Sequence, residues 1–228
     1  MSYRIIHAGA SRSFPQAHPF LDASDSAATA RVYVGSRAGR AYASDSREHA
    51  GQTDGGFILL ELGHECLAVH AGERAGAPTA NVFGFARFCL GDSEPSQLIE
   101  LVVPAAADQR ALGEAKAAFE AAGFTVAVCG DFPGRIVDRL IRPYYNAVLR
   151  RLDEKLASAA DLDVTLRLGL GYPEGPIALL ERTGLDHHFE VTDALYRALG
   201  DAAYAPARRA QVAHERALRV LRDEEPLR

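Results

Sequence analysis

Three side chains in one short stretch of the chain could together bind a metal ion. His64, Cys66 and His70 stand at even spacing, so on a β-strand they would point to the same face. Imidazole and thiolate are preferred Zn²⁺ ligands, but the stretch lacks the H-E-x-x-H motif because residue 68 is alanine. A buried strand with a small cysteine explains the same pattern, and we favour that interpretation and predict no metal site.

An aspartate among arginines is a second candidate for chemistry. Asp138 is followed by Arg139 and Arg142 in a segment whose apolar residues recur at helical spacing. The Asp138 carboxyl group could act as a general acid or base in a cleft, or it could form an ion pair with an arginine. We favour the ion pair. Farther along, His187 and His188 are predicted to lie on the surface of a helix near its start.

The elements that would position these residues differ between the two halves of the chain. Residues 1–130 alternate short apolar runs with connections rich in Gly, Ala, Ser and Asp, which predicts an α/β domain with a mostly parallel sheet. A helix from about Asp108 to Ala122 lies between the last two strands and completes a βαβ unit. The predicted strands are Tyr3–His7, Arg31–Val34, Phe57–Leu62, Leu67–His70, Leu98–Val103 and Phe124–Cys129.

From Pro133 onwards the apolar spacing is helical. The pattern predicts a helix that begins at Pro133 and is kinked at Pro143. Further helices are predicted over residues 158–168, 176–184, 186–199 and 206–221. The chain is therefore expected to form two domains, an α/β domain at 1–130 and an all-α domain at 131–228.

Composition excludes several classes of partner. The chain has 228 residues and a formal net charge of -5, so nothing indicates a nucleic-acid surface, and no apolar run reaches membrane-spanning length. Its three cysteines, Cys66, Cys89 and Cys129, form no C-x-x-C pair. We therefore expect a cytoplasmic protein without nucleic-acid or membrane partners.

Several segments of the second half resemble the 3-hydroxyacyl-CoA dehydrogenase family in both order and spacing. The first is similar to the family segment D-x-P-G-F-I-V-N-R-L, and the next two are similar to A-S-x-x-D-I-D and L-G-x-G-Y-P-M-G-P. These segments are Asp131–Leu140, Ala157–Asp163, Leu168–Pro176 and Thr183–Asp186. Upstream, Val82–Phe88 and Leu98–Val102 are more faintly similar to the family segments G-x-H-F-F-N-P and L-V-E-V. The resemblance implies a Rossmann-like cofactor domain followed by the family's helical domain.

The resemblance also assigns site positions, and this chain departs from them. In the family a His takes the proton of the substrate hydroxyl, a Glu orients that His, and an Asn helps to hold the substrate. The His position is Ala86, the Glu position is Glu100 and the Asn position is Asp138. Glu100 and Asp138 are therefore the candidate catalytic positions, and Asp138 with Arg139 would contact substrate. Alanine cannot accept a proton, and Arg87 beside it is always charged.

The fingerprint of a dinucleotide site is also missing. NAD is implied by the resemblance alone, because a G-x-G-x-x-G turn needs glycines that let the backbone approach the pyrophosphate. After Tyr3–His7 the chain contains Gly9 but no second or third glycine of that motif, and Pro15 follows. We therefore interpret the first domain as a truncated, degenerate Rossmann-like domain.

Three functions are compatible with these observations. The favoured one is a degenerate member of the family that binds an acyl-CoA-like ligand or a partner without NAD-dependent turnover. The second is an active oxidoreductase with a non-standard cofactor site, for which His64 or His70 would supply the base. The third is a structural or interaction protein that keeps the helical domain as a dimerisation module. The resemblance implies a homodimer formed through that domain.

Overall fold

The computed structural model describes residues 2–48, 55–73 and 79–224. The chain divides into two compact units. The N-terminal unit comprises Met1–Cys89 and Pro95–Ile136, and the C-terminal unit comprises Leu90–Glu94 and Val137–Arg228. In the described part of the chain, no helix is both long enough and apolar enough to cross a membrane.

In the part of the chain that the structure describes, the N-terminal unit is built around six strands. In chain order its elements are β1 (Arg4–His7), α1 (Pro19–Asp22), β2 (Arg31–Val34), α2 (Ala38–Glu48), β3 (Ile58–Glu61), α3 (Ala68–Ala71), β4 (Val82–Arg87), β5 (Leu98–Val103), α4 (Gln109–Ala121) and β6 (Thr125–Gly130). The strands lie side by side in the order β1-β2-β3-β4-β5-β6. All neighbours are parallel except β4 and β5, which are antiparallel. The predicted mostly parallel α/β sheet is confirmed.

Both faces of this sheet are covered, as a parallel sheet requires. On one face, Leu59, Phe85 and Leu101 pack with Phe119 of α4 and with aromatic residues from the first 20 positions of the chain. Alternate strand residues form the other face and pack with α2 and with the segment around Leu67. Because successive side chains of a strand point to opposite faces of the sheet, each apolar strand contributes residues to both cores.

The predicted strand Leu67–His70 is wrong, because Ala68–Ala71 is the short helix α3. The Asp131 carboxylate accepts hydrogen bonds from the N–H groups of Leu67 at 2.7 Å and Ala68 at 2.8 Å. A carboxylate in this place satisfies free donors of a first helical turn. The helix thus depends on a residue more than 60 positions along the chain, which a local pattern does not reveal.

The junction between the units lies in a turn rather than a helix. The predicted helix start at Pro133 is wrong, because Gly134 and Arg135 adopt φ values of 75° and 51°, in the left-handed region that ends regular helix. The helix begins instead at Val137. The turn residues hydrogen-bond to the sheet and belong to the N-terminal unit, so the units divide after Ile136 rather than after residue 130.

The C-terminal unit is all-helical, as predicted. Its helices are α5 (Val137–Asp153), α6 (Ala159–Leu170), α7 (Pro176–Thr183), α8 (Leu185–Leu199) and α9 (Arg208–Glu224), with a 3₁₀ turn at Ala202–Tyr204. The α5 helix continues through Pro143. Leu149, Leu180 and Ala210 form the centre of its largest cluster, and Leu90 from the short segment 90–94 packs against it.

Candidate functional site

The two positions that the sequence aligned with a base and its orienting carboxylate are direct neighbours. Ala86 of β4 lies opposite Glu100 of β5 in the antiparallel register. Paired residues of neighbouring strands point to the same face of a sheet, so both side chains face the same region. Ala86 is 3% exposed and Glu100 1%. The antiparallel register thus places the methyl group of Ala86 opposite the Glu100 carboxylate.

The Glu100 carboxylate is bound by the junction turn. It accepts hydrogen bonds from Arg135 Nε at 3.4 Å and from the Ile136 N–H at 2.8 Å. Arg135 Nη1 also donates to the Gly63 carbonyl at 2.8 Å, and the side chains of Arg135 and Glu100 are only 6% and 2% exposed. Glu100 is therefore half of a buried ion pair that joins the sheet to the junction.

Arg135 was not among the predicted site residues, although the sequence contained a signal for it. The family segment D-x-P-G-F-I-V-N-R-L has Phe where this chain has Arg135. A positive charge at a usually aromatic position requires a partner if it is buried. That departure, next to the missing base at Ala86, could have indicated the pair with Glu100.

Arg87, the neighbour of Ala86, has a structural role. Its guanidinium donates to the carbonyls of Ser13 at 2.7 Å, Pro95 at 2.8 Å and Ser96 at 2.8 Å. It also lies 5.0 Å from the centroid of the Phe124 ring, a distance typical of a cation–π contact. These contacts anchor two loops to β4.

Asp138 lies in the first turn of α5 and is paired within that helix. Its carboxylate accepts a hydrogen bond from Arg142 Nε at 2.7 Å, one turn along, and both side chains are buried. Of the two arginines considered from sequence, the structure therefore pairs Asp138 with Arg142. Arg139 contributes its backbone carbonyl, which accepts from the Tyr204 hydroxyl at 2.9 Å.

Arg142 leads into a buried polar network of the helical unit. Its Nη1 lies 3.0 Å from His188 Nδ1, and His188 Nε2 lies 3.0 Å from Asn146 Oδ1. Since a guanidinium only donates, Nδ1 must accept and Nε2 must carry the proton. Asn146 Nδ2 then donates to Thr192 Oγ1 at 2.7 Å. Burial first, and then the charge of Arg142, lower the pKa of His188 to about 3.

The network corrects the prediction that both histidines lie on the helix surface. His188 is 1% exposed, whereas the side chain of His187 is 37% exposed. Adjacent helical residues point about 100° apart, so only one of a neighbouring pair can face the core. Local sequence did not indicate which one.

The predicted grouping of His64, Cys66 and His70 on one strand is wrong, because the first two lie in a loop and His70 lies in α3. His70 Nε2 pairs instead with Glu65 Oε1 at 3.2 Å, and His64 Nε2 lies 3.1 Å from a nitrogen of Arg12. Within residues 2–48, 55–73 and 79–224 no three His, Cys, Asp or Glu side chains are grouped to hold a metal ion.

A pocket of about 590 Å³ opens in the N-terminal unit. Its volume falls within the range of about 300–1,000 Å³ that is typical of small-molecule sites, and its lining is mostly apolar. Neither Glu100 nor Arg135 lines it. Its walls come from α3 and from the ends of β5 and β6, and they include Leu67, Ala68, Val103, Ala106, Gly130 and Phe132.

Comparison with protein families finds a model that matches the second half of the chain. Residues 134–219 match the C-terminal domain of 3-hydroxyacyl-CoA dehydrogenase. These residues include the junction turn after Gly134 and nearly all of the helical unit.

Comparison with individual proteins points the same way. A probable 3-hydroxybutyryl-CoA dehydrogenase of Bacillus subtilis is 30% identical over 110 residues, which are 48% of this chain and 38% of that protein. The mitochondrial hydroxyacyl-coenzyme A dehydrogenase of Homo sapiens is 47% identical over 58 residues, 25% of this chain and 18% of that protein. The chain thus spans well under half the length of these curated relatives.

Among solved structures, the (S)-3-hydroxybutyryl-CoA dehydrogenase PaaH1 of Ralstonia eutropha superimposes with a TM-score of 0.68. The match has 20% identity and covers 83% of this chain and 66% of that one. This likeness shows the fold, and it extends over parts of both units. Residues 134–219 are thus similar to the C-terminal domain of 3-hydroxyacyl-CoA dehydrogenase, and the chain shares the fold of a solved 3-hydroxybutyryl-CoA dehydrogenase.

Proposed function

We propose that this protein is a degenerate member of the 3-hydroxyacyl-CoA dehydrogenase family that binds an acyl-CoA-like ligand or a partner without NAD-dependent turnover. The observation that carries the proposal is the pair of Ala86 and Glu100. A methyl group stands opposite the carboxylate, and Arg135 and the Ile136 N–H already occupy that carboxylate.

Oxidation of a 3-hydroxyacyl group needs a base to take the hydroxyl proton while hydride leaves for the cofactor. Ala86 has no lone pair for that proton, and Arg135, the charged group beside Glu100, is always protonated. Glu100 itself accepts two hydrogen bonds from the junction turn and so is engaged in the fold. The proposed loss of turnover follows from these three residues together.

The N-terminal unit also fits the nicotinamide cofactor poorly. A doubly wound dinucleotide domain has the strand order 3-2-1-4-5-6, and its ligand lies where that order reverses. Among the described residues the strands follow chain order from β1 to β6 without a reversal. No step of the proposed function therefore uses NAD.

The ligand half of the proposal rests on the pocket at the ends of β5 and β6. Its size and apolar lining suit the acyl part of a thioester. The relatives are named as a 3-hydroxybutyryl-CoA dehydrogenase and a hydroxyacyl-coenzyme A dehydrogenase, and we transfer the ligand class from them. The three cysteines of the chain are free. This agrees with a reducing compartment, and we propose that the protein is cytoplasmic.

We further propose that the helical unit forms a homodimer. Helix α6 has no buried residue, and its apolar side chains Val164 and Leu168, one turn apart, are 39% and 74% exposed. Apolar side chains one turn apart on a helix form a continuous stripe, which is typical of a contact surface.

Thermal unfolding in the presence of NAD, NADH, CoA and acetoacetyl-CoA, each tested separately, examines the proposal. A ligand of the folded state adds about 2.7 kcal/mol at a hundredfold excess over its dissociation constant. We expect CoA compounds to raise the midpoint and the nicotinamide compounds to leave it unchanged. A rise with NAD or NADH, followed by turnover of a 3-hydroxyacyl-CoA, would overturn the proposal. No rise with any compound would favour the interaction protein.

A variant of the pocket wall tests where a CoA compound binds. Ala106 is an exposed residue of the lining, so Ala106→Trp should obstruct the pocket without disturbing the core. We expect it to abolish the midpoint rise with acetoacetyl-CoA, whereas Ala121→Trp, at an exposed end of α4, should keep it. Equal rises in both variants would place the ligand elsewhere.

One observation favours an active enzyme as the second candidate. The His70–Glu65 pair has the form of a base with an orienting carboxylate. If this pair worked in a non-standard oxidoreductase, His70→Gln would abolish NADH formation from a 3-hydroxyacyl-CoA. Under the favoured proposal the parent protein forms no NADH at all.

A further inference from the structure

The carboxyl ends of the first three strands converge on one buried carboxylate. Glu61 ends β3 and is 7% exposed. Its Oε1 accepts hydrogen bonds from the Ser13 N–H at 2.7 Å and the Ser11 hydroxyl at 2.9 Å, and its Oε2 accepts from the Gly35 N–H at 2.6 Å. Ser11 and Ser13 follow β1, and Gly35 follows β2. One side chain thus joins the ends of three neighbouring strands.

These three donors form an oxyanion site. Backbone N–H groups in the turns after parallel strands are the groups that bind phosphate in many α/β proteins. Here both oxygens of a carboxylate accept from them, and two of the distances are at the short end for hydrogen bonds to a charged acceptor. The site is therefore complete, with an anion supplied by the chain itself.

The connections around Glu61 also touch each other directly. A Cβ atom on Gly35 would lie 2.4 Å from the Gly9 carbonyl oxygen, and one on Gly9 would lie 2.8 Å from Ser36 Oγ. Both glycines have positive φ, 115° and 97°, which allows the two backbones to approach without side chains between them. Ser13 is in addition fixed by Arg87, which donates to its carbonyl at 2.7 Å.

We propose that Glu61 is the resident anion of this crevice: its carboxylate fills an oxyanion site built from Ser11, Ser13 and Gly35 and excludes any external oxyanion. A phosphate of a dinucleotide would have to displace a covalently attached carboxylate and separate the contacts between the connections. This explains in physical terms why the unit fits a dinucleotide poorly. The inference concerns the N-terminal unit alone, and it can fail while acyl-CoA binding holds.

Chemical rescue by acetate tests the inference. Glu61→Ala removes the anion and leaves the three donors around a cavity that suits acetate. We expect acetate at tenfold excess over its dissociation constant to raise the unfolding midpoint of Glu61→Ala by about 3–6 °C relative to chloride at equal ionic strength. The parent protein should show no such difference. Leu60→Ala is the matched control, because Leu60 is fully buried beside Glu61 but its loss exposes no donors.

A second variant keeps the test decisive. Glu61→Gln retains the shape of the side chain and still fills the crevice, so we expect it to fold with a lower midpoint and to ignore acetate. If Glu61→Ala does not fold in chloride, its recovery on refolding in acetate gives the same answer. Three outcomes would each overturn the inference. Glu61→Ala and Leu60→Ala could respond equally to acetate, or Glu61→Gln could respond as strongly as Glu61→Ala. The third is that Glu61→Ala recovers in neither salt.

Discussion

At the scale of single residues, Glu100 and Arg135 form a buried ion pair in the N-terminal unit. The guanidinium neutralises Glu100 inside the protein, where an unpaired charge would be costly. Arg135→Met should therefore lower the free energy of unfolding by about 3–5 kcal/mol, because it leaves Glu100 buried without its counter-charge. Chemical denaturation measures this. The double variant Glu100→Gln with Arg135→Met should lose less than Arg135→Met alone, and an equal or larger loss would contradict the pairing.

His188 gives the helical unit a specific sensitivity to acid. Its pKa is about 3 in the folded protein against 6.5 for the free side chain, so the unfolded chain binds the proton more readily. The stabilisation is complete above pH 6.5 and is lost as pH falls from 6.5 towards 3, by at most about 1.4 kcal/mol per pH unit.

The expected result is that His188→Gln flattens the fall in unfolding free energy between pH 7 and pH 5 relative to the parent protein. Ala121→Gln, at an exposed position of α4, supplies the control and should leave the parent slope unchanged. Parallel slopes for the parent and His188→Gln would show that another group is responsible.

At the scale of elements, distant carboxylates start two of the helices. Asp163 of α6 accepts from the N–H groups of Ile177 at 2.8 Å and Ala178 at 2.9 Å in the first turn of α7. Asp163→Ala should lower the free energy of unfolding by about 1–2 kcal/mol, since two helix donors and a favourable dipole interaction are lost. Asp163→Asn should lose less, and Glu181→Ala, at an exposed position of α7, should be nearly neutral. An Asp163→Ala protein as stable as Glu181→Ala would contradict the cap.

Sequence patterns predicted most elements of this fold but not their long-range contacts. Strands such as Arg31–Val34 and Leu98–Val103 have the predicted bounds because alternation and burial are local properties. Helix α3 was mistaken for a strand because its cap, Asp131, is remote in sequence. Likewise the family resemblance indicated Ala86 and Glu100 as site positions. It did not indicate that Arg135 pairs with Glu100, because the two residues are 35 positions apart and meet only in the folded protein.

At the scale of the whole molecule, the exposed apolar side chains Val164 and Leu168 of α6 predict that the protein forms dimers. We expect the parent protein to sediment as a dimer at micromolar concentration. Leu168→Asp places a charge in the stripe and should raise the dimer dissociation constant roughly tenfold or more. Ala121→Asp, on α4 of the other unit, should leave sedimentation unchanged. A monomeric parent protein, or a Leu168→Asp protein that is fully dimeric, would rule out this surface.

The chain-order arrangement of the six strands bears on how the N-terminal unit is made. Each strand pairs with the one that precedes it along the chain, so no loop has to close across an intervening strand. During synthesis, which proceeds at about 5–20 residues per second, each emerging strand meets a template that is already exposed. The sheet can therefore grow in one direction, from β1 towards β6.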